Sequence, residues 1–198
     1  MWRRRGDLFV SVLRRLSAAA LTVGLATPVA AGPIGHITSG ADAPLPEGYV
    51  VLDIRDEDRC FERAPANSRC LPAEVLLRGD AGDPIGFHAL RWVLGALGLT
   101  GAETLVIYPG DAGARDDALA AAGLLYLAGQ AEVLVHAGPA LELGDGASVR
   151  GLWREVIYTA PMRTGEMVAV QDPAGGLRDR LRDYAMGGGE AVAFAAGN

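Results

Sequence analysis

Apolar runs of strand length alternate with helical patterns along residues 49–136, and this alternation constrains the fold more than any other feature of the chain. The strand-length runs occupy residues 49–55, 71–77, 103–108 and 131–136. Apolar residues recur at helical spacing over residues 83–98 and 115–128, and Gly98 and Gly129 mark the helix ends. Strands that alternate with helices favour right-handed crossovers. The pattern therefore predicts an α/β fold with a mostly parallel sheet and helices on both faces.

The connecting segments indicate where a site would lie. Residues 56–69 are charged and are expected to form a loop, whereas Asp-Pro at residues 83–84 is typical of a helix start. Open parallel sheets bind ligands beyond the carboxyl ends of their strands. Here those ends are Arg55, residues 109–114 and the turn after His136, which is the one histidine with a position worth testing.

The first 31 residues have the features of an export signal. Five arginines precede an apolar run over residues 16–31, which is shorter than the roughly 20 residues that a spanning helix needs. Small residues at 29–31 predict cleavage after Ala31, with an uncleaved N-terminal anchor as the alternative. Residues 32–48 are rich in Gly, Pro and Ala and are expected to form an extended leader. The mature protein is then expected in the periplasm or outside the cell.

Composition excludes several function classes. Residues 1–31 contain five Arg and one Asp, so their removal lowers the formal charge from −6 to −10. Such an acidic chain disfavours nucleic acid and anionic lipid, so membrane contact is expected only through an uncleaved signal. All 18 basic residues are Arg, which excludes lysine chemistry. Two Cys and three separated His predict neither a metal site nor a cofactor.

Residues 147–198 are expected to form a C-terminal extension. Residues 149–159 have some strand character, and residues 177–186 form an amphipathic pattern that is dense in Arg and Asp. We expect the latter to be a solvated surface helix.

An ordered set of segments resembles a rhodanese domain, which is the sulfurtransferase fold. The set comprises VLDIR at 51–55, CLPAE at 70–74, LGALGL at 94–99, LVIY at 105–108, LAG at 127–129 and EVLV at 132–135. The resemblance covers about residues 45–145, which implies a rhodanese-like domain over residues 49–146.

The resemblance also implies that catalysis has been lost. A catalytic rhodanese carries a cysteine directly after the strand that here ends at Tyr108, and this chain has Pro109 there. The equivalent loop consists of Pro109, Gly110, Asp111, Ala112, Gly113, Ala114 and Arg115. The loop and the two residues after it carry Asp111, Asp116 and Asp117 against the single Arg115. This excess of negative charge disfavours an anionic sulfur donor and favours a protein partner that bears a basic patch. We expect a binding or accessory protein, and fold analogy alone suggests an oxidative or sulfur-handling pathway.

Two residue pairs complete the expectations. Asp53 and Arg55 are expected to tie a strand end to its neighbouring loops as a structural charge pair. Cys60 and Cys70 are expected to form a disulfide, because an exported chain meets an oxidising compartment and the loop between them is polar. The alternative is an enzyme or sulfur carrier in which one of these cysteines, when reduced, accepts a sulfane sulfur.

Overall fold

The computed structural model describes residues 33–37, 45, 47–78, 87–146, 156–166 and 176–188. The expected signal segment and the Asp-Pro helix start at residues 83–84 lie outside the described residues. Among the helices that are described, none is long and apolar enough to cross a membrane.

Among the described residues, five parallel strands form the main sheet, and two short antiparallel strands form a second one. The strands are β1 (Gly35–Ile37), β2 (Tyr49–Asp53), β3 (Arg63–Pro65), β4 (Ser68–Cys70), β5 (Thr104–Tyr108), β6 (Glu132–His136) and β7 (Leu143–Asp145). The main sheet has the order β1-β6-β5-β2-β4, and β3 pairs with β7. The expected α/β class with a mostly parallel sheet is confirmed.

Helices cover both faces of this sheet. They are α1 (Glu57–Glu62), α2 (Ala73–Arg78), α3 (Phe87–Ala96), α4 (Arg115–Leu127) and α5 (Leu177–Ala185). Buried residues of α2 to α5 pack in one core with Leu52, Ile107 and Val135 of the sheet. Val51 and Tyr108, on the opposite face, pack with Leu141. Side chains alternate along a strand, so Asp53 lies on the same face as Val51, and Cys70 aligns with Asp53. The helix α1 is joined to Cys70 by the disulfide of Cys60, so α1 lies on this second face.

Three local expectations are wrong. The segment 56–69 is not a loop, because it folds into α1, β3 and β4. The run 71–77 is largely the helix α2, since the backbone carbonyl of Pro72 accepts hydrogen bonds from Val75 and Leu76 and starts a helical turn. Part of the expected leader belongs to the sheet, because β1 pairs with β6 at one edge.

The C-terminal segment is also more integrated than expected. Within residues 156–159, the described part of the segment where strand character was expected, the structure has no strand, and the chain instead runs against α3 through the hydrogen bond from the N–H group of Val156 to the carbonyl oxygen of Gly95. The prediction of a solvated surface helix over residues 177–186 is wrong for α5. Its Leu177, Leu181, Tyr184 and Ala185 recur at helical spacing and are buried in the main core. Only the opposite side of α5 faces solvent.

Candidate functional site at the carboxyl edge of the sheet

The ends of β2, β5 and β6 meet at one edge, as a parallel sheet requires. The loop 109–114 lies in the middle of this edge, with a cavity on each side. The larger cavity, of about 520 Å³, lies between this loop and the residues that follow β2 and β4. The smaller cavity, of about 170 Å³, lies between the loop and the turn after β6, and His136 lines it.

A glycine and a side-chain cap set the conformation of the loop. Pro109 is buried, and Gly110 has a positive φ of 84°. A Cβ at residue 110 would lie 2.4 Å from Cδ of Arg55, so both the backbone angle and the close approach require glycine. The Oδ1 atom of Asp111 accepts hydrogen bonds from the backbone N–H groups of Gly113 (2.8 Å) and Ala114 (3.2 Å). This cap leads the chain into α4.

Asp53 and Arg55 form the expected charge pair. Asp53 is fully buried, and its carboxylate accepts hydrogen bonds from Nε (2.9 Å) and Nη2 (2.7 Å) of Arg55. The same Nη2 atom donates to the carbonyl oxygen of Arg63 at 2.5 Å, which ties the end of β2 to β3. The hydrogen bond to Asp53 raises the pKa of Arg55. This pair holds the edge together, as a buried carboxylate needs a close cation.

Two aromatic side chains lie next to this pair. The Arg55 guanidinium carbon lies 5.4 Å from the centre of the Tyr108 ring. The His136 ring contacts Tyr108 edge-on, with 5.7 Å between the ring centres, and His136 is 4% exposed. Burial raises the pKa of Tyr108, so its hydroxyl is neutral at physiological pH. The histidine that the sequence singled out therefore lies at the site, packed against an aromatic ring.

The acidic residues at the start of α4 are used within the molecule. Asp117 pairs with Arg178 at 2.5 Å, and Asp116 pairs with Arg182 at 3.4 Å. Both arginines belong to α5, whose docking the sequence did not reveal. Two of the three carboxylates expected to face a partner are thus already neutralised in part, and the third, Asp111, caps the loop.

The larger cavity nevertheless has an acidic lining, and we call it the acidic cleft. Its carboxylates come from Asp56, Glu57, Glu74, Asp111 and Asp117, against the cations Arg55 and Arg59. Arg55 pairs with Asp53, Arg59 with Asp56 and Asp117 with Arg178, and the lining still holds five carboxylates against two arginines, so it carries an excess of negative charge. Sequence reasoning missed Glu57 and Glu74; the signal for them was their position four residues after the ends of β2 and β4.

The two cysteines lie beside the acidic cleft. Cys60 and Cys70 are joined by a disulfide, with 5.8 Å between their Cα atoms, as expected. They are the only cysteines of the chain, so in this state no thiol exists at the site. Within the parts of the chain that the structure describes, no three His, Cys, Asp or Glu side chains are grouped so as to hold a metal ion.

Comparison with solved structures assigns the fold. No family model matches the sequence, and no curated protein shows a significant match. The 3-mercaptopyruvate sulfotransferase SseA from Escherichia coli, described as having the rhodanese fold, is 19% identical, with a TM-score of 0.50. The alignment covers 64% of this chain and 54% of SseA, so the chain spans about half the length of that protein.

Two further structures are similar. A variant of EanB in complex with hercynine is 18% identical over 65% of this chain and 36% of EanB, with a TM-score of 0.49. A probable thiosulfate sulfurtransferase is 21% identical over 64% of this chain and 54% of its own, with a TM-score of 0.41. The class of protein follows from the sheet order and the likeness to SseA: this is an α/β protein with a rhodanese-like fold.

Proposed function

We propose that this protein is an exported rhodanese-like accessory protein that does not transfer sulfur and that binds a basic patch of a protein partner at the acidic cleft. The observation that carries the proposal is the chemistry of the sheet edge. Pro109 follows β5, and both cysteines lie outside the loop 109–114 in the sequence and are held in a disulfide.

Sulfur transfer through an enzyme persulfide needs a thiolate nucleophile at the site. Pro109 supplies neither a sulfur atom nor a backbone N–H group, so the loop lacks both the nucleophile and one donor that could stabilise an anion. Neither Cys60 nor Cys70 lies in the loop 109–114, so neither replaces the missing nucleophile of the loop even when reduced.

The charge of the acidic cleft supports a cationic partner. Thiosulfate is a dianion and would meet an excess of carboxylates, whereas Arg or Lys side chains of a partner would pair with them. Such pairs are partly exposed to solvent, so the association should weaken as the salt concentration rises beyond about 0.1 M.

Catalysis is tested with thiosulfate and cyanide as substrates. We expect thiocyanate production by the disulfide form to equal that of buffer alone. The reduced protein is measured in parallel. Turnover that appears on reduction and is lost in Cys70→Ser would overturn the proposal and establish the sulfur-carrier alternative.

Binding is tested by titration with an arginine-rich peptide at low and high salt. The cleft variant combines Glu57→Gln with Glu74→Gln. A control of equal net charge combines Asp58→Asn with Glu142→Gln, since both residues are exposed and neither lines the acidic cleft. Partly exposed pairs contribute about 0.5 kcal/mol each, so the loss of two pairs, about 1 kcal/mol in total, should make the cleft variant bind about fivefold more weakly than the control. Equal affinity of the two variants would refute the acidic cleft as the binding surface.

A further inference from the structure

The disulfide connects the two sides of the acidic cleft. On one side, the cleft is lined by Asp56, Glu57 and Arg59, and we call this the α1 side. Cys60 directly follows these residues. On the other side, the cleft is lined by residues 72–75 at the start of α2, and we call this the α2 side. Cys70 lies two residues before it, so the Cys60–Cys70 bond spans from one side to the other.

The helix α1 itself contributes little to the core, although the residues that flank it are anchored by the Arg55–Arg63 hydrogen bond and by the pairing of β3 with β7. Within α1, all six residues of which the structure describes, Cys60 is the one that is buried, and its neighbours in the helix are exposed. A helix of six residues is far shorter than the roughly 12–15 residues that an isolated helix needs to be stable in water. In the described structure, Asp56 makes no side-chain hydrogen bond to cap it. The disulfide is therefore the bond that holds the helix itself in place between its anchored ends.

The α2 side is held independently of the disulfide. Leu76 of α2 is 1% exposed within the main core. The backbone N–H groups of Leu71 and Ala73 donate to the carbonyl oxygens of Asp53 (2.9 Å) and Ile54 (3.0 Å), which continues the attachment of the chain to β2. Loss of the disulfide would thus release one side of the acidic cleft and leave the other in place.

We propose that the Cys60–Cys70 disulfide is a redox latch that holds the α1 side in place, and that its reduction by a protein dithiol releases α1 and alters the acidic cleft. The consequence for partner binding rests on the proposed function; the release of α1 does not. In the reaction, a thiolate of the dithiol attacks the sulfur of Cys70, the more accessible of the two cysteines, and the sulfur of Cys60 leaves as a thiolate. The second thiol of the reductant then resolves the mixed disulfide. Two electrons and two protons are transferred, so the reductant becomes a disulfide and Cys60 and Cys70 become thiols.

The test is backbone hydrogen exchange of the full chain in the disulfide form and after reduction, with the thiols counted in each sample. We expect the amides of α1 to exchange about tenfold faster or more after reduction, because the constraint on this segment is lost, while α2 and α4 keep their protection. A Cys60→Ala, Cys70→Ala variant should exchange rapidly at α1 with or without reductant. If that variant does not fold, the reduced native chain decides the question alone.

Two results would overturn the latch. One is unchanged α1 exchange on complete reduction. The other is an equal increase throughout α4, which would mean that the bond stabilises the whole domain and not one side of the cleft. Titration with the arginine-rich peptide in both redox states separates this inference from the proposed function. Peptide that fails to bind in either state, together with redox-dependent α1 exchange, would refute the basic partner and support the latch.

Discussion

Replacement of Leu181 by Ala tests whether the C-terminal helix belongs to the folded domain. Leu181 is 1% exposed and lies between α5 and the main core. The substitution removes three carbon groups, each contributing about 0.8 kcal/mol of transfer free energy, and it leaves a cavity that adds to this loss. We therefore expect the free energy of unfolding to fall by about 3 kcal/mol. Urea unfolding measures this loss, and Arg180→Ala on the exposed side of α5 is the matched control.

The contact between α5 and α4 can also be tested by a substitution in α4. A Cβ at Gly123 of α4 would lie 2.6 Å from the carbonyl oxygen of Leu181, so Gly123→Ala must push α5 away from α4. We expect a loss of about 1–3 kcal/mol from this overpacking. If the free energies of unfolding of Leu181→Ala and Gly123→Ala both lie within about 0.5 kcal/mol of that of Arg180→Ala, the conclusion that α5 is part of the folded core is refuted, because substitutions in an exposed helix have effects of that size.

Three further predictions concern the edge of the sheet and its supports. Reduction of the native chain, or replacement of both Cys60 and Cys70 by Ala, should lower the free energy of unfolding by less than the about 3 kcal/mol that a closed loop of this length can contribute, because the released α1 gains freedom in the folded chain as well; a loss of that full amount would contradict it. Gly110→Ala should cost about 1–3 kcal/mol, because an L-residue is strained at a φ of 84°; native-like stability would show that the loop adapts. Burial raises the pKa of Glu103, but hydrogen bonds from Thr100 and from nearby backbone N–H groups outweigh it and hold this pKa below the usual value of 4.5. The ionised Glu103 carboxylate therefore stabilises the folded protein above about pH 4.5, and this stabilisation is lost as the pH falls through the lower folded pKa. We expect the Glu103→Gln variant to be less stable than the native protein at pH 7 and to approach the native stability in acid. Urea unfolding of both proteins at the two pH values measures this difference.

The central part of the fold could be predicted from the sequence because its elements are long and regular. The strands β2, β5 and β6 are continuous apolar runs that end at polar or glycine-containing turns, and α4 is a thirteen-residue helix that ends just before a glycine. Buried parallel strands favour such runs on both faces. The rhodanese resemblance rested on this same part of the chain.

The short elements could not be predicted, because their structure is decided by distant contacts. Strand β1 has three residues and exists by pairing with the edge of β6. The segment after Cys70 carries an apolar run that fits a strand or a helix equally well, and burial of Leu76 in the helical core settles it. The prediction that Asp116 and Asp117 would face a partner failed for the same reason. Nothing in the local sequence shows that Asp116 and Asp117 meet the arginines of α5.

The most direct measurement of the central claim is the intact mass of the protein after incubation with a sulfane-sulfur donor. The disulfide form and the reduced form are each treated with thiosulfate, desalted and analysed by mass spectrometry. Because Pro109 occupies the position after β5 and neither Cys60 nor Cys70 lies in the loop 109–114, we predict that neither form gains the mass of a sulfur atom and that neither converts cyanide to thiocyanate. A one-sulfur adduct mapped to Cys60 or Cys70, with thiocyanate formed in step with it, would contradict the account and identify the protein as a sulfur carrier.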